Sequence, residues 1–236
     1  MYVKVIFDQK AKKGLLSGTG FSCLIDGKIL FDTAEASTAL VENMDRFMVS
    51  ALDLKAVVIS HDYWNHTGGL WELLRRQNGL KVYGCKSFSH TFIDCVKELG
   101  GDLVLLDKPV EIEKNIFATG ELINEETENP VSEQAIVVHG DKGTSVITGC
   151  AHSGILNLVR GIKDTFRLKD LYMVLGGFNL DPLDMDEIRK ITSALVEMGV
   201  KKTGPAYSSG DKARRIFSGK YHENYIPVEA GYIIQL

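Results

Sequence analysis

Ser60-His61-Asp62-Tyr63-Trp64-Asn65-His66-Thr67-Gly68-Gly69 gathers two histidines, an aspartate, an asparagine and two aromatic rings within ten residues. It follows Ala56 to Ile59, an apolar run of strand length, and precedes a helical pattern near Leu70 to Arg76. A strand-to-helix junction places these side chains at a strand's carboxyl end, where open α/β sheets hold their ligands.

Upstream, a strand at Val3 to Phe7 leads into a glycine-punctuated loop (Gly14, Gly18, Gly20). Phe21 to Ile25 and Lys28 to Phe31 then flank Asp26-Gly27, the dipeptide of a tight hairpin turn. A helix is expected from Glu35 to about Met48, with Leu40, Val41 and Met44 on one face. Downstream, the helix near Leu70 to Arg76 stops at Asn78-Gly79. Strand Lys81 to Tyr83, helix Ser89 to Leu99 and strand Leu103 to Leu106 follow. Strands are next expected at Glu111 to Ala118, Gln134 to Val138 and Thr144 to Thr148, the last two turned by Asp141-Lys142-Gly143. Helix Ser153 to Ile162, strand Tyr172 to Leu175, helix Asp184 to Met198, helix Asp211 to Phe217 and strand Tyr232 to Gln235 complete the chain. Early and late hairpins with interleaved helices predict an α/β (α+β) arrangement of two mixed sheets covered by helices. Glu121 to Pro130 is the one linker-like stretch, and strands on both sides of it favour a single domain over 1–236.

With 27 basic and 31 acidic residues the formal net charge is −4, and the chain is 44% apolar and 25% charged. Those proportions suit an ordinary globular protein and exclude disorder, collagen and coiled coil. A mildly acidic chain without a basic block is a poor nucleic-acid binder. The least polar run, Leu171 to Leu180, is too short for a bilayer, so no membrane association is expected. The N-terminus reads as a strand rather than a signal peptide, and a cytoplasmic location is expected. Cys23, Cys85, Cys95 and Cys150 form no Cys-x-x-Cys pair and read as reduced, mostly core thiols.

At His61-x-Tyr63-x-Asn65-His66, followed by Thr67-Gly68-Gly69, the chain resembles the metallo-β-lactamase superfamily, whose signature is His-x-His-x-Asp-His. Further motifs extend the resemblance over nearly the whole chain. Phe31-Asp32-Thr33-Ala34 is similar to an early Phe-Asp-Thr-Gly, and Thr148-Gly149-Cys150-Ala151-His152-Ser153-Gly154-Ile155 to the segment carrying the next metal histidine. Gly176-Gly177-Phe178-Asn179-Leu180 is similar to Gly-Gly-Phe-His-Leu, and Pro205-Ala206-Tyr207-Ser208-Ser209-Gly210 to Pro-Thr-His-Cys-Thr-Gly. These later motifs resemble the branch containing the synthases of a dihydropterin–ribofuranosylaminobenzene phosphate and loosely named metal-dependent hydrolases. The resemblance implies a four-layer αβ/βα sandwich.

It also implies a metal site with altered ligands. Carried over residue by residue, the first metal position keeps His61 and His152 with Tyr63 between them in the motif. The second keeps His66, while Asn65 and Tyr207 replace a carboxylate and an imidazole. Asn179 likewise stands where the branch has histidine. An amide oxygen is a weak uncharged donor, so two ions are not expected. One divalent ion (zinc, iron or manganese) on His61, His152 and either Tyr63 or His66 is one expectation. A metal-free cluster, with the histidines hydrogen-bonded to Tyr63, Asn65 and Tyr207, is the other.

Asp62 and His66 are the candidate proton carriers; Asp62 also reads as a hydrogen-bond partner for a histidine. Asp32 reads as a structural acceptor that orients the signature loop. Tyr63, Trp64, Phe178 and Tyr207 are candidates for stacking on a flat ring, with Trp64 and Phe178 equally readable as core. Ser208, Ser209 and Arg214, at the start of a helix, are candidates for holding a phosphate, with Ser209 alternatively a plain helix cap. The expected function is thus hydrolase-like action on, or binding of, a small ring-bearing metabolite of pterin type bearing a phosphate. The alternative is a non-catalytic ligand-binding descendant. His90, His139 and His222 match no motif.

Overall fold

The computed structural model describes residues 1–123 and 130–236, so residues 124–129 of the linker-like stretch lie outside the described residues. The chain runs through β1 (Tyr2–Phe7), β2 (Ser22–Ile25), β3 (Ile29–Phe31), β4 (Ala56–Val58), β5 (Lys81–Cys85) and β6 (Asp102–Leu106). It continues through β7 (Val110–Glu113), β8 (Ile116–Ala118), β9 (Ala135–Gly140), β10 (Gly143–Thr148), β11 (Leu171–Gly176) and β12 (Val200–Pro205), and closes with β13 (Ile233–Gln235). One sheet has the order β13-β1-β2-β3-β4-β5-β6 and the other β12-β11-β10-β9-β8-β7. Each is mixed: β3 to β6 pair in parallel, as do β10 to β12, while the other pairs, β13 with β1 among them, are antiparallel.

Period-two alternation explains the layering. Val3 and Val5, Cys23 and Ile25, and Phe31 and Val58 meet Ile136, Val138, Ile147, Met173 and Leu175 between the sheets. The intervening Ile6, Leu24, Leu30 and Val57 point outward, to α1 (Ser37–Arg46) and, beyond the short α2 (Trp64–Thr67), to α3 (Leu70–Arg76) and α4 (His90–Glu98). On the second sheet Val137, Val146 and Val174 point outward, to α5 (Ile155–Phe166), α6 (Met185–Glu197) and α7 (Gly210–Tyr221). Strands apolar on both faces demand cover on both, which gives four layers, αβ/βα. Each fully buried aliphatic side chain contributes roughly 1.5–3 kcal/mol.

The Asp26-Gly27 hairpin forms, with φ of 49° and 70° at the two residues. The first helix is shorter than expected, starting at Ser37 and ending at Arg46. The last runs on to Tyr221, burying Phe217 and Tyr221 against the outer face of the second sheet. β12 is a strand that periodicity missed, because Lys201-Lys202-Thr203 masks its alternation on an edge strand.

Candidate functional site

The parallel strands of both sheets end on the same side, and five of these ends deliver one component each. Asp32 follows β3, His61 follows β4, His152 follows β10, Asn179 follows β11 and Tyr207 follows β12. Only a short helix, Trp64–Thr67, separates the signature from α3, and it buries His66 while leaving Trp64 63% exposed.

Asp32 organises the cluster. It is fully buried, with φ of 55°, and it accepts three hydrogen bonds from two residues. Its Oδ1 takes the Ser60 N–H at 2.7 Å; its Oδ2 takes the Ser60 hydroxyl at 2.7 Å and His66 Nδ1 at 2.6 Å. A carboxylate only accepts, so His66 Nδ1 is the donor, and in the neutral ring this leaves Nε2 as a lone pair. Because Ser60 spends its hydrogen on Asp32, its oxygen accepts from His61 Nδ1 at 2.8 Å, which leaves His61 Nε2 as a second lone pair. The rings of His61 and His66 are 4.1 Å apart between centroids. His152 Nε2 lies 3.3 Å from His61 Nε2. Gly149 makes room for this network, since a Cβ there would run into Ser60 Oγ and Asp32 Oδ2.

Burial and the neighbouring imidazoles hold His61 well below the usual histidine range, and burial takes His152 down to about 4. Both rings are therefore neutral near pH 7, the state that ligates metals. His66 Nε2 is buried and has no hydrogen-bond partner among the described residues. Asp32 and Glu133 are both buried, and among the described residues neither is paired with a lysine or arginine.

Those features decide which metal arrangements fit. Two nitrogens held about 2.05 Å from one tetrahedral ion stand about 3.3 Å apart, the separation seen between His61 and His152. The orphaned lone pair of His66 and the unbalanced carboxylates fit one dication as well. Two ions do not fit. Asn65 Nδ2 donates to Tyr207 Oη at 2.9 Å, which joins the two altered ligands to each other. Burial pushes the Tyr207 hydroxyl further above the usual tyrosine range, so it stays a neutral donor and acceptor. Among the described residues no group of three or more His, Cys, Asp or Glu side chains stands ready-made as a metal site.

The remaining sequence candidates divide. Tyr63, 46% exposed, sets its ring edge-on to His61 and His152 at 5.0 and 5.4 Å, and Tyr207 lies 5.6 Å from His66. Phe178 is buried against Phe217 and also lines the cavity beside His152 described below. The Asp62 carboxylate accepts from the Ser89 backbone N–H at 2.8 Å, which directs it to the start of α4 rather than to a histidine. Each group expected to hold a phosphate has a partner within the protein. Ser208 Oγ accepts from the Asn179 N–H and from the Cys150 thiol, and Ser209 Oγ accepts from the Phe178 N–H. Arg214 is buried, donating to Asp8 Oδ2 at 2.9 Å and to the Val228 carbonyl at 2.7 Å. The Asp181 carboxylate lies close to Gly210 at the start of α7, where it opposes a second anion.

A cavity of about 330 Å³ adjoins the cluster, lined by His152, Ile155, Leu156, Asn179, Leu183 and Ile191 among others, with no charged side chain. Glu133 and Gln134, which sequence reasoning passed over, also reach the cluster. Glu133 accepts the backbone N–H groups of His152 and Ser153, and Gln134 donates to the carbonyls of Ile59 and Tyr83.

Comparison with known proteins agrees with the geometry. The chain is 25% identical to the 7,8-dihydropterin-6-methyl-4-(β-D-ribofuranosyl)-aminobenzene-5'-phosphate synthase of Methanocaldococcus jannaschii, over 89% of this chain and 85% of that protein. An uncharacterised protein of the same organism is 28% identical over 75% of this chain and 79% of its own length. The crystal structure of a metal-dependent hydrolase of the β-lactamase superfamily superposes with a TM-score of 0.83 at 28% identity, covering 100% of this chain and 99% of that one. The short form of human tRNase Z shares the fold, with a TM-score of 0.61 at 15% identity over 100% of this chain and 99% of that one. No family model matches the chain. Among the described residues no helix is long and apolar enough to cross a membrane.

Proposed function

The chain is a member of the metallo-β-lactamase superfamily, and from that premise we propose that it is a hydrolase-like protein working with a single divalent ion, zinc, iron or manganese, on His61, His66 and His152. The observation that carries this reading is the pair of lone pairs, His61 Nε2 and His66 Nε2, that the Asp32 network fixes beside His152 Nε2. An ion held there would polarise a substrate carbonyl or lower the pKa of a bound water. Asp32 and Ser60 hold the tautomers that such ligation requires. Tyr63 covers the outer side of His61 and His152, and the Asn65–Tyr207 bond keeps the second position closed.

The substrate proposed is a small metabolite with an uncharged ring, of the dihydropterin kind that the Methanocaldococcus relative's name carries. The adjoining cavity supports this: its size suits a bicyclic ring, its lining is largely apolar, and Asn179 stands at its edge. A phosphate on Ser208, Ser209 and Arg214 is not part of the proposal, since those groups are committed elsewhere.

A second reading, a metal-free binding protein, is favoured by the Asn65–Tyr207 bond and by the lack of a ready-made ligand trio among the described residues. Elemental analysis of protein purified without chelators or a metal-affinity column separates the two. Near-stoichiometric metal that disappears in a His61→Ala, His152→Ala variant supports the first. Metal-free protein that still binds 6-methylpterin supports the second and overturns the first.

A further inference from the structure

His61 and His152 belong to different sheets. His61 follows a strand of the seven-stranded sheet, and His152 follows a strand of the six-stranded one. Their 3.3 Å approach therefore depends on whatever fixes the sheets relative to each other at this edge. Two consecutive residues entering β9 do so. Glu133, 1% exposed, accepts the His152 N–H at 3.0 Å on Oε2 and the Ser153 N–H at 2.7 Å on Oε1. Gln134, also 1% exposed, reaches into the opposite sheet. Its side-chain nitrogen donates to the carbonyls of Ile59 at 2.8 Å and Tyr83 at 3.2 Å, and its backbone N–H donates to the Ser60 carbonyl at 2.8 Å.

We infer that Glu133 and Gln134 form a clamp across the two sheets that sets the spacing of His61 and His152, making both of them positioning residues for the site. Glu133 holds the backbone of the His152 loop, and Gln134 holds the backbone on which Ser60 and His61 are mounted. Adjacent residues at the entry to one strand cannot move independently, so the two loops are tied to a common reference. A buried carboxylate that accepts two backbone N–H groups is a rigid tether, because each bond is charge-assisted. Gln134 fills the complementary role, since a carboxylate facing the Ile59 and Tyr83 carbonyls would be repelled. Supporting contacts of this kind typically govern metal affinity by factors of ten to a hundred.

The metal arm of the test rests on the single-ion reading; the imidazole arm does not. Cobalt(II) binding and its visible absorption are measured for the natural protein, Glu133→Gln, Gln134→Met and a control, Val96→Ala, whose core position in α4 is remote from the site. The two clamp variants are expected to lose about 10–100-fold in cobalt affinity, with altered absorption bands, while Val96→Ala keeps both at a similar loss of melting temperature. In the metal-free proteins, the imidazole NMR signals of His61 and His152 are expected to shift in each clamp variant, with His139 unmoved. Natural-protein affinity and spectra in both clamp variants overturn the clamp, as does an equal affinity loss in Val96→Ala. If the natural protein takes up no cobalt, the single-ion reading fails and the imidazole signals alone decide the clamp, unshifted signals overturning it. Should Glu133→Gln not fold, Glu133→Asp, which keeps the charge and shortens the reach, is measured in the same ways.

Discussion

Asn65 and Tyr207, 142 residues apart in sequence, meet through a 2.9 Å hydrogen bond from the amide to the phenol oxygen. The pair spans the place where a carboxylate and an imidazole would share a second ion, and it satisfies itself instead. Asn65→Asp with Tyr207→His is expected to raise bound zinc by one ion per chain, because ligand type decides affinity here. Either change alone is expected to leave the stoichiometry as it was. Calorimetric zinc titration reads this directly, and equal stoichiometry for the natural and doubly substituted proteins contradicts it.

Asp32→Asn is expected to be among the most damaging single changes near the site. An amide presents a donor where three donors now converge, so at least one is left without an acceptor, at a cost of about 1–3 kcal/mol each. It also frees His66 to adopt the other tautomer, so metal affinity is expected to fall with stability. Urea denaturation and zinc titration of the same variant check both. A variant as stable as the parent contradicts the network.

The Asp8–Arg214 pair is buried on both sides. Arg214→Met leaves the Asp8 carboxylate without its partner and is expected to cost about 3–5 kcal/mol. Asp8→Asn with Arg214→Met keeps an acceptor for the Tyr207 N–H and removes both charges, so the double variant is expected to be more stable than Arg214→Met alone. A double variant no better than the single one shows that the charge of Asp8 is not the source of the loss.

Thiol reactivity follows burial. Cys23, Cys85 and Cys150 are buried, and burial raises all three thiols above the usual cysteine range, Cys150 to about 12. A raised pKa means less thiolate at pH 8, and the thiolate is the reacting form. Native protein is expected to expose one rapidly titrating thiol to Ellman's reagent, Cys95, and unfolded protein four. A Cys95→Ser variant that still reacts rapidly contradicts this.

The sequence legibility of the site depended on contact range. His61, His66 and His152 are readable because the motifs around them, His61-x-Tyr63-x-Asn65-His66 and Thr148 to Ile155, resemble those of the superfamily, and the same resemblance carries the fold. The fates of Asp62, Ser208, Ser209 and Arg214 are not. Each is decided by a partner that no local pattern announces: Arg214 by Asp8, 206 positions away, and Asp62 by the start of α4. Phe178 reads as pocket or core in the sequence and is both: it packs on Phe217 of α7 and lines the cavity beside His152. Glu133 and Gln134 look like an ordinary polar lead into a strand until the loops they hold are brought beside them.

The placement of His61 and His152 on opposite sheets has a thermodynamic consequence. Each half of the molecule, a sheet with its own helices and its own outer core, is expected to open at its own free-energy cost in native-state fluctuations. A ligand that grips both histidines is lost when either half opens, so its binding energy is added to the opening cost of both. Saturating ligand should therefore slow amide exchange in β4 and β10 alike and draw their rates toward a common value. The centre would then act as the rivet that turns two cooperative units into one.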